Sequence, residues 1–166
     1  MKSRKSIPMR NNRVLGIDPG YDRIGIAVAD KNGLLFSECL ITDRKQEHQE
    51  RLLAIGLRVR AVIEKWHPQA LAIEKLYFNQ NTTTALKVSE ARGVMLYEAA
   101  EKGLEVCEYS PQAIKIAVTS YGKADKAQVE TMIHRLIKMP QGEKRLDDEM
   151  DAIALCITHL ATAKGI

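Results

Sequence analysis

At 166 residues and 18.6 kDa the chain has the size of one compact domain, with a radius of gyration of roughly 15 Å, and two full domains would be cramped. With 45% hydrophobic and 28% charged residues, a mean hydropathy of −0.24 and no apolar run near the ~20 residues of a membrane helix, the composition is that of a soluble globular protein and excludes membrane spanning. The net charge of +4 is uneven: residues 1–13 carry Lys2, Arg4, Lys5, Arg10 and Arg13 with no acid, which leaves 20 basic against 21 acidic residues elsewhere, so any polyanion-binding face must come from segregated charge.

Residues 1–13 are expected to form a basic, flexible arm, with nothing apolar to make a secretory signal, and residues 14–166 a single domain. After the arm, Val14 to Asp18 is a short apolar run stopped by Pro19-Gly20, and Ile24, Ile26 and Val28 then alternate with small residues, the period of a half-buried strand. Asn32-Gly33 is a hairpin turn, and Leu34 to Thr42 a third strand. Leu52, Leu53, Ile55, Val59, Val62, Ile63 and Trp66 recur at helical spacing between Glu47 and Trp66, and Pro68 ends the pattern. Ala70 to Glu74 is a buried strand, Thr82 to Lys102 a helix stopped at Gly103, and Leu104 to Tyr109 a fifth strand. Pro111 suits the first turn of another helix, and helices near Asp125 to Lys138 and Asp148 to Ala163 close the chain.

Three strands, helix, strand, helix, strand, then helices is the order of the ribonuclease H-like fold. The fold class is α/β, a five-stranded mixed sheet with its first three strands antiparallel and helices on its flanks; other mixed α/β folds share parts of that order. Cys39, Cys107 and Cys156 are odd in number and far apart, offering neither a disulfide framework nor a zinc site, and are expected as buried thiols in a reducing compartment. His48, His67, His134 and His159 lack the paired spacing of zinc ligands, and no Gly-x-Gly-x-x-Gly is present.

Two acids end buried strands: Asp18 after Leu15-Gly16-Ile17, and Glu74 after Leu71-Ala72-Ile73. If those strands are neighbours, the carboxylates meet at one edge of the sheet. Asp148 and Asp151, three residues apart at the start of an apolar helix, share one face. Taken singly, Asp18 before Pro-Gly is also a turn former, and either helix acid also suits the helix dipole. Four carboxylates in one cleft repel one another and raise their own pKa values unless cations neutralise them. Hard oxygen ligands suit Mg²⁺ or Mn²⁺, and two such ions about 4 Å apart support in-line phosphodiester hydrolysis without a side-chain nucleophile. A basic stretch from Pro111 to Arg145 sets Lys115, Lys123, Lys126, Arg135, Lys138, Lys144 and Arg145 against Asp125, Glu130 and Glu143; alone it reads as a solvated helix face.

The strings Gly16-Ile17-Asp18-Pro19-Gly20, Ile73-Glu74 followed by Leu76-Tyr77-Phe78-Asn79-Gln80-Asn81, Ala85-Leu86-Lys87 running to Ala91-Arg92-Gly93, and Asp148-Glu149-Met150-Asp151-Ala152-Ile153-Ala154 with Thr158-His159 resemble the RuvC family of bacterial Holliday-junction resolvases. The resemblance spans Val14 to the C-terminus. It implies a homodimeric Mg²⁺-dependent endonuclease, with Mn²⁺ as a substitute, that nicks four-way DNA junctions symmetrically in recombination and repair. It further implies two ions per active site, a branch-migration partner (RuvA and RuvB), and a cytoplasmic, nucleoid-associated setting. By position it assigns metal binding and catalysis to Asp18, Glu74, Asp148 and Asp151; Asp147 precedes the last pair, but the Asp-x-x-Asp-Ala pattern favours Asp148. It gives DNA contact to one of the adjacent Tyr77 and Phe78, with Tyr77 preferred by position. Lys115 and Lys126 match lysines beside the acidic cleft, and Asn81, Lys87 and Arg92 are further DNA-contact candidates. On the helix from Thr82, Val88, Ala91, Met95 and Ala99 form a candidate dimer surface, with core packing as the equal alternative. The basic arm is longer than the resemblance requires.

Three rivals compete. A YqgF-type nuclease acting on ribosomal RNA precursor shares the opening Gly16 to Asp30 but not the segment Glu74 to Gly93. An actin-like or sugar-kinase ATP-binding fold needs two such domains. A non-catalytic junction-binding module leaves four acids without purpose.

Overall fold

The computed structural model describes residues 12–77, 82–140 and 144–163, the side chains of Thr82 and Thr83 excepted. They form β1 (Val14–Asp18), β2 (Arg23–Asp30), β3 (Gly33–Ile41), α1 (His48–Trp66), β4 (Ala70–Glu74), α2 (Thr82–Glu101), β5 (Glu105–Tyr109), α3 (Pro111–Thr119), α4 (Lys126–Leu136) and α5 (Asp147–Thr162). The sheet order is β3-β2-β1-β4-β5, with β1, β2 and β3 antiparallel and β4 running parallel to both β1 and β5. This is the mixed, helix-flanked sheet expected of the ribonuclease H-like order. The expected arm, apart from Asn12 and Arg13, lies outside the described residues.

Local chemistry sets the helix ends. At α1 the Glu47 amide donates to Glu50 Oε2 at 3.0 Å, and the helix stops at His67, whose φ of 49° precedes Pro68. Ser110 Oγ accepts from the Ala113 amide at 3.1 Å to start α3, with Pro111 in the first turn. Asp125 and Gln128 cap α4 reciprocally, at 2.8 and 2.9 Å.

The two faces of the sheet differ in side-chain size, and that difference places the last helix. Alternate residues of a strand point to opposite faces. Leu15, Ile17, Ile24, Ile26, Val28, Leu71 and Ile73 pack against α1 and α2 with Ile55, Val59, Met95 and Ala99. The other face carries Val14, Gly16, Gly25, Ala27, Ala29, Ala70 and Ala72, a shallow bed on which α5 lies. A Cβ at Gly16 would stand 2.3 Å from the Ala152 carbonyl oxygen, and one at Gly25 would stand 1.8 Å from that of Asp148. The absence of side chains there lets the α5 backbone rest directly on β1 and β2.

Two expectations are corrected by burial. Cys156, on the face of α5 that meets the sheet, is buried, but Cys39 and Cys107 are only half-buried, because β3 and β5 are the edges of the sheet and are less covered. On α2, Ala91, Met95 and Ala99 are fully buried in the chain's own core, with Val88 packed against it, so they do not form a dimer surface. The outward apolar side chains of this layer are Leu53 and Leu57 of α1 and Leu86 and Tyr97 of α2. His48 bonds Tyr21 at 2.7 Å and Glu90 at 2.8 Å, and His159 bonds Tyr109 at 2.9 Å, in structural contacts. Among the described residues no helix is long and apolar enough to cross a membrane.

Candidate active site

The parallel register Ile17↔Ile73 sets the C-terminal ends of β1 and β4 side by side, and with them Asp18 and Glu74. Asp18 follows Gly16 by two residues and Glu74 follows Ala72 by two, so both carboxylates sit on the face that receives α5. Asp18 also pairs with Gly25, the residue over which the Asp148 backbone rests. The same close packing that needs the two glycines therefore delivers Asp148 and Asp151, at the start of α5, to the strand-end acids. Glu149 anchors this helix end: it accepts from Ser37 Oγ at 2.9 Å and from the Leu146 amide at 3.3 Å, while Arg145 Nε donates to Ser37 Oγ at 3.2 Å.

The electrostatics are those of crowded, like charges. Burial, then the charges of Asp151, Glu74 and Asp148, push the Asp18 carboxyl up from 3.8 to about 7, against an opposing pull from Lys126. Glu74 is raised by burial and by Asp151. Asp151 is raised by burial and by Asp148 and Asp147, with Lys126 lowering it. Two cations already answer this charge: Arg23 Nη2 donates to Asp148 Oδ2, and Lys126 Nζ donates to Asp147 Oδ2 at 2.9 Å.

A donor set of four carboxylates, with Asp18 lifted by burial and by its neighbours' charge, has the chemistry of a divalent-cation site. As the side chains lie, no three His, Cys, Asp or Glu groups among the described residues are drawn into a cage for one ion. The residues fit by charge and ligand type, and binding an ion requires the carboxylates to converge. A cavity of about 230 Å³ opens beside them, with Glu74, Asp151, Lys115 and Lys126 on its polar side and Ile114 and Ile133 on its apolar side. A larger groove, of about 1380 Å³, lies around Asn12, Gln69 and His159 at the other end of β1 and β4 and holds none of the four acids.

The expected DNA contacts are placed unevenly. Tyr77, just past β4, is 62% exposed; Phe78 and Asn81 lie outside the described residues. Lys115 and Lys126 border the cavity, and Lys87 Nζ stands 5.4 Å from the Tyr21 ring centre. Arg92 turns inward instead: its side chain is only 13% exposed, pairs with Glu108 and donates from Nε to the Glu74 carbonyl oxygen at 3.3 Å. It braces the strand end that carries Glu74. Sequence reasoning missed Arg23, which starts β2 on the α5 face two residues before Gly25; that spacing was the available signal.

The raised Asp18 has a consequence for stability in the metal-free protein. Because its folded-state pKa lies above the ordinary 3.8, its contribution to stability is fully present below that value and is lost as the pH rises through about 7. Thermal unfolding in EDTA is expected to show Tm falling between about pH 4 and pH 7, and falling less in Asp18→Asn. Equal pH dependence of the two proteins would contradict the crowding described here.

A family model for crossover junction endodeoxyribonuclease RuvC matches residues 14–159. The RuvC of Petrotoga mobilis is 41% identical over 150 residues, covering 88% of this chain and 91% of its own length. That of Roseiflexus sp. is 41% identical over 162 residues, covering 95% and 96%. The structure superposes on Thermus thermophilus RuvC in complex with a Holliday junction substrate with a TM-score of 0.85, at 32% identity over 91% of this chain and 94% of that one. It also matches the yeast mitochondrial Holliday junction resolvase Ydc2, with a TM-score of 0.62 over 94% of this chain and 80% of that one; at 15% identity this speaks to the fold alone. The chain belongs to the RuvC family of crossover junction endodeoxyribonucleases, the resolvases of Holliday junctions.

Proposed function

We propose that this chain resolves four-way DNA junctions as a homodimeric, Mg²⁺-dependent endonuclease, residues 14–166 acting as one nuclease domain, with Asp18, Glu74, Asp148 and Asp151 as metal ligands. The observation that carries this reading is the gathering of four carboxylates from β1, β4 and α5 at one sheet edge, where burial and the neighbouring charges lift Asp18 to about 7. Mg²⁺, as two ions per site, when bound supplies the charge that activates a water and stabilises the leaving oxygen of phosphodiester hydrolysis, with Mn²⁺ as a substitute.

The chain's own groups do the rest. Asp18 and Glu74, on rigid strand ends, fix two ligands in position, and α5 carries the other two one turn apart. Lys115 and Lys126, at the border of the cavity, hold phosphate oxygens of the strand to be cut and offset charge developing on them. Lys87 and Asn81 add DNA contacts, with Phe78 as the neighbour of the stacking residue. Tyr77, exposed at the end of the strand that bears Glu74, stacks on bases at the crossover, where unpaired bases present their faces. The outward Leu53, Leu57, Leu86 and Tyr97 suit a second copy of the chain, and a dimer supplies the two active sites that paired nicks need. A branch-migration motor of the RuvA and RuvB kind brings the junction to the site.

The test is cleavage of a labelled mobile junction in Mg²⁺ and in EDTA, beside matched linear duplex and an RNA-containing substrate. Cleavage of the junction alone, abolished by EDTA, is the expected result. Preferential cutting of RNA would move the chain to ribosomal RNA processing, and cleavage undiminished by EDTA would remove the metal from the mechanism. Tyr77→Ala is expected to slow junction cleavage by about tenfold, the loss of one base-stacking contact, with duplex affinity nearly unchanged. Equal losses in both assays would make Tyr77 a general contact.

A further inference from the structure

Among the described residues, Asp148 differs from its three companions in having a cation bonded to it directly. Arg23 Nη2 donates to Asp148 Oδ2, and Cys39 Sγ stands 3.8 Å from the same oxygen. Both come from the sheet: Arg23 lies two residues before Gly25, and Cys39 pairs with Gly25 in register. The Arg23 side chain is 47% exposed and Asp148 only 23%, so the guanidinium covers the carboxylate from the solvent side. Lys126 acts differently, since its bond goes to Asp147, outside the set of four.

We infer that Arg23 is a displaceable counter-ion, a positioning residue that holds Asp148 in the metal-free protein and yields it when a divalent cation enters. The inference rests on the metal reading above. An arginine is always charged and cannot share a carboxylate oxygen with a dication at no cost, so the bond seen here competes with metal binding. The exchange costs little, because a half-exposed ion pair is weak and screened by water. Once released, the guanidinium stands at the rim of the cleft, where its fork of donors suits a DNA phosphate. Arg23 then opposes metal loading without DNA and ceases to oppose it with DNA, because phosphate gives the side chain another partner.

The test is Mn²⁺ binding to the full-length protein by titration calorimetry, with and without a four-way junction that carries non-hydrolysable phosphate linkages around the crossover, so that all four carboxylates are present in both arms. Arg23→Gln is expected to tighten Mn²⁺ binding to the DNA-free protein by about two- to fivefold, the range an exposed ion pair supplies, with Arg23→Lys in between. The gain is expected to shrink at high salt and to disappear in the presence of junction DNA. Weaker Mn²⁺ binding in Arg23→Gln would make Arg23 a permanent brace of Asp148, and unchanged affinity would make the pair incidental; either overturns the inference alone. No Mn²⁺ binding by wild type and variant alike would overturn the metal reading and this inference with it.

Discussion

Asp18→Asn is expected to lower junction cleavage by about 10³-fold or more, a loss of ~4 kcal/mol of transition-state stabilisation, while junction affinity is retained or improved. Asn keeps the shape of Asp18 but removes the charge that a metal needs from the residue at the centre of the cluster. That charge is also what the fold tolerates least, being buried and facing Asp151, Glu74 and Asp148. The same substitution is therefore expected to stabilise the metal-free protein at neutral pH by about 1–2 kcal/mol, since an uncharged amide is spared the repulsion. Loss of cleavage together with a higher Tm distinguishes a catalytic ligand from a structural one, whose removal lowers both. Unchanged cleavage would remove Asp18 from the site.

Gly25→Val tests how the site is assembled instead of what it contains. A Cβ at this position meets the Asp148 carbonyl oxygen at 1.8 Å, and that obstacle is backbone with no flexible end to swing away. The first turn of α5 must lift from β2, taking Asp148 with it. Overpacking of this kind is expected to cost about 3 kcal/mol of stability. Displacement of a ligand by about 1 Å is expected to slow cleavage by about 10²-fold even where the protein remains folded. Circular dichroism and a melting curve establish the folded fraction, and cleavage is compared at a temperature where it is complete. Gly16→Ala, which meets the Ala152 carbonyl at 2.3 Å one turn further along α5, is expected to destabilise similarly. Full activity in Gly25→Val would show that α5 does not need this seat.

The elements were legible where turn chemistry punctuates periodic runs. Asn32-Gly33 closes the β2–β3 hairpin, Pro68 follows α1, Gly103 separates α2 from β5, and Pro111 opens α3. The acids were legible because two of them terminate buried strands and two share a helix face, positions where an unpaired carboxylate is costly. The size difference between the sheet faces was also present in the alternation of Gly25, Ala27 and Ala29 with Ile24, Ile26 and Val28, and it determines which face accepts α5.

What stayed hidden depends on contacts between distant residues. Arg23 and Asp148 are 125 positions apart, and nothing local to either announces the bond. Arg92 has the charge of a DNA contact, but its pairing with Glu108 and with the Glu74 carbonyl is decided by the approach of α2 to β4 and β5. Ala91, Met95 and Ala99 form an apolar stripe that suits a core or a dimer equally well. Only the position of α1 and the sheet assigns it to the core.

The most direct test of the central claim is to map the cuts on a four-way junction labelled on each strand in turn, incubated with wild-type protein and Mg²⁺. Paired nicks at symmetric positions on two opposing strands, absent from linear duplex and from the Asp18→Asn reaction, are the expected result. Tight junction binding with no nick on any strand, or scattered cuts that also appear in duplex, would contradict a four-carboxylate resolvase site.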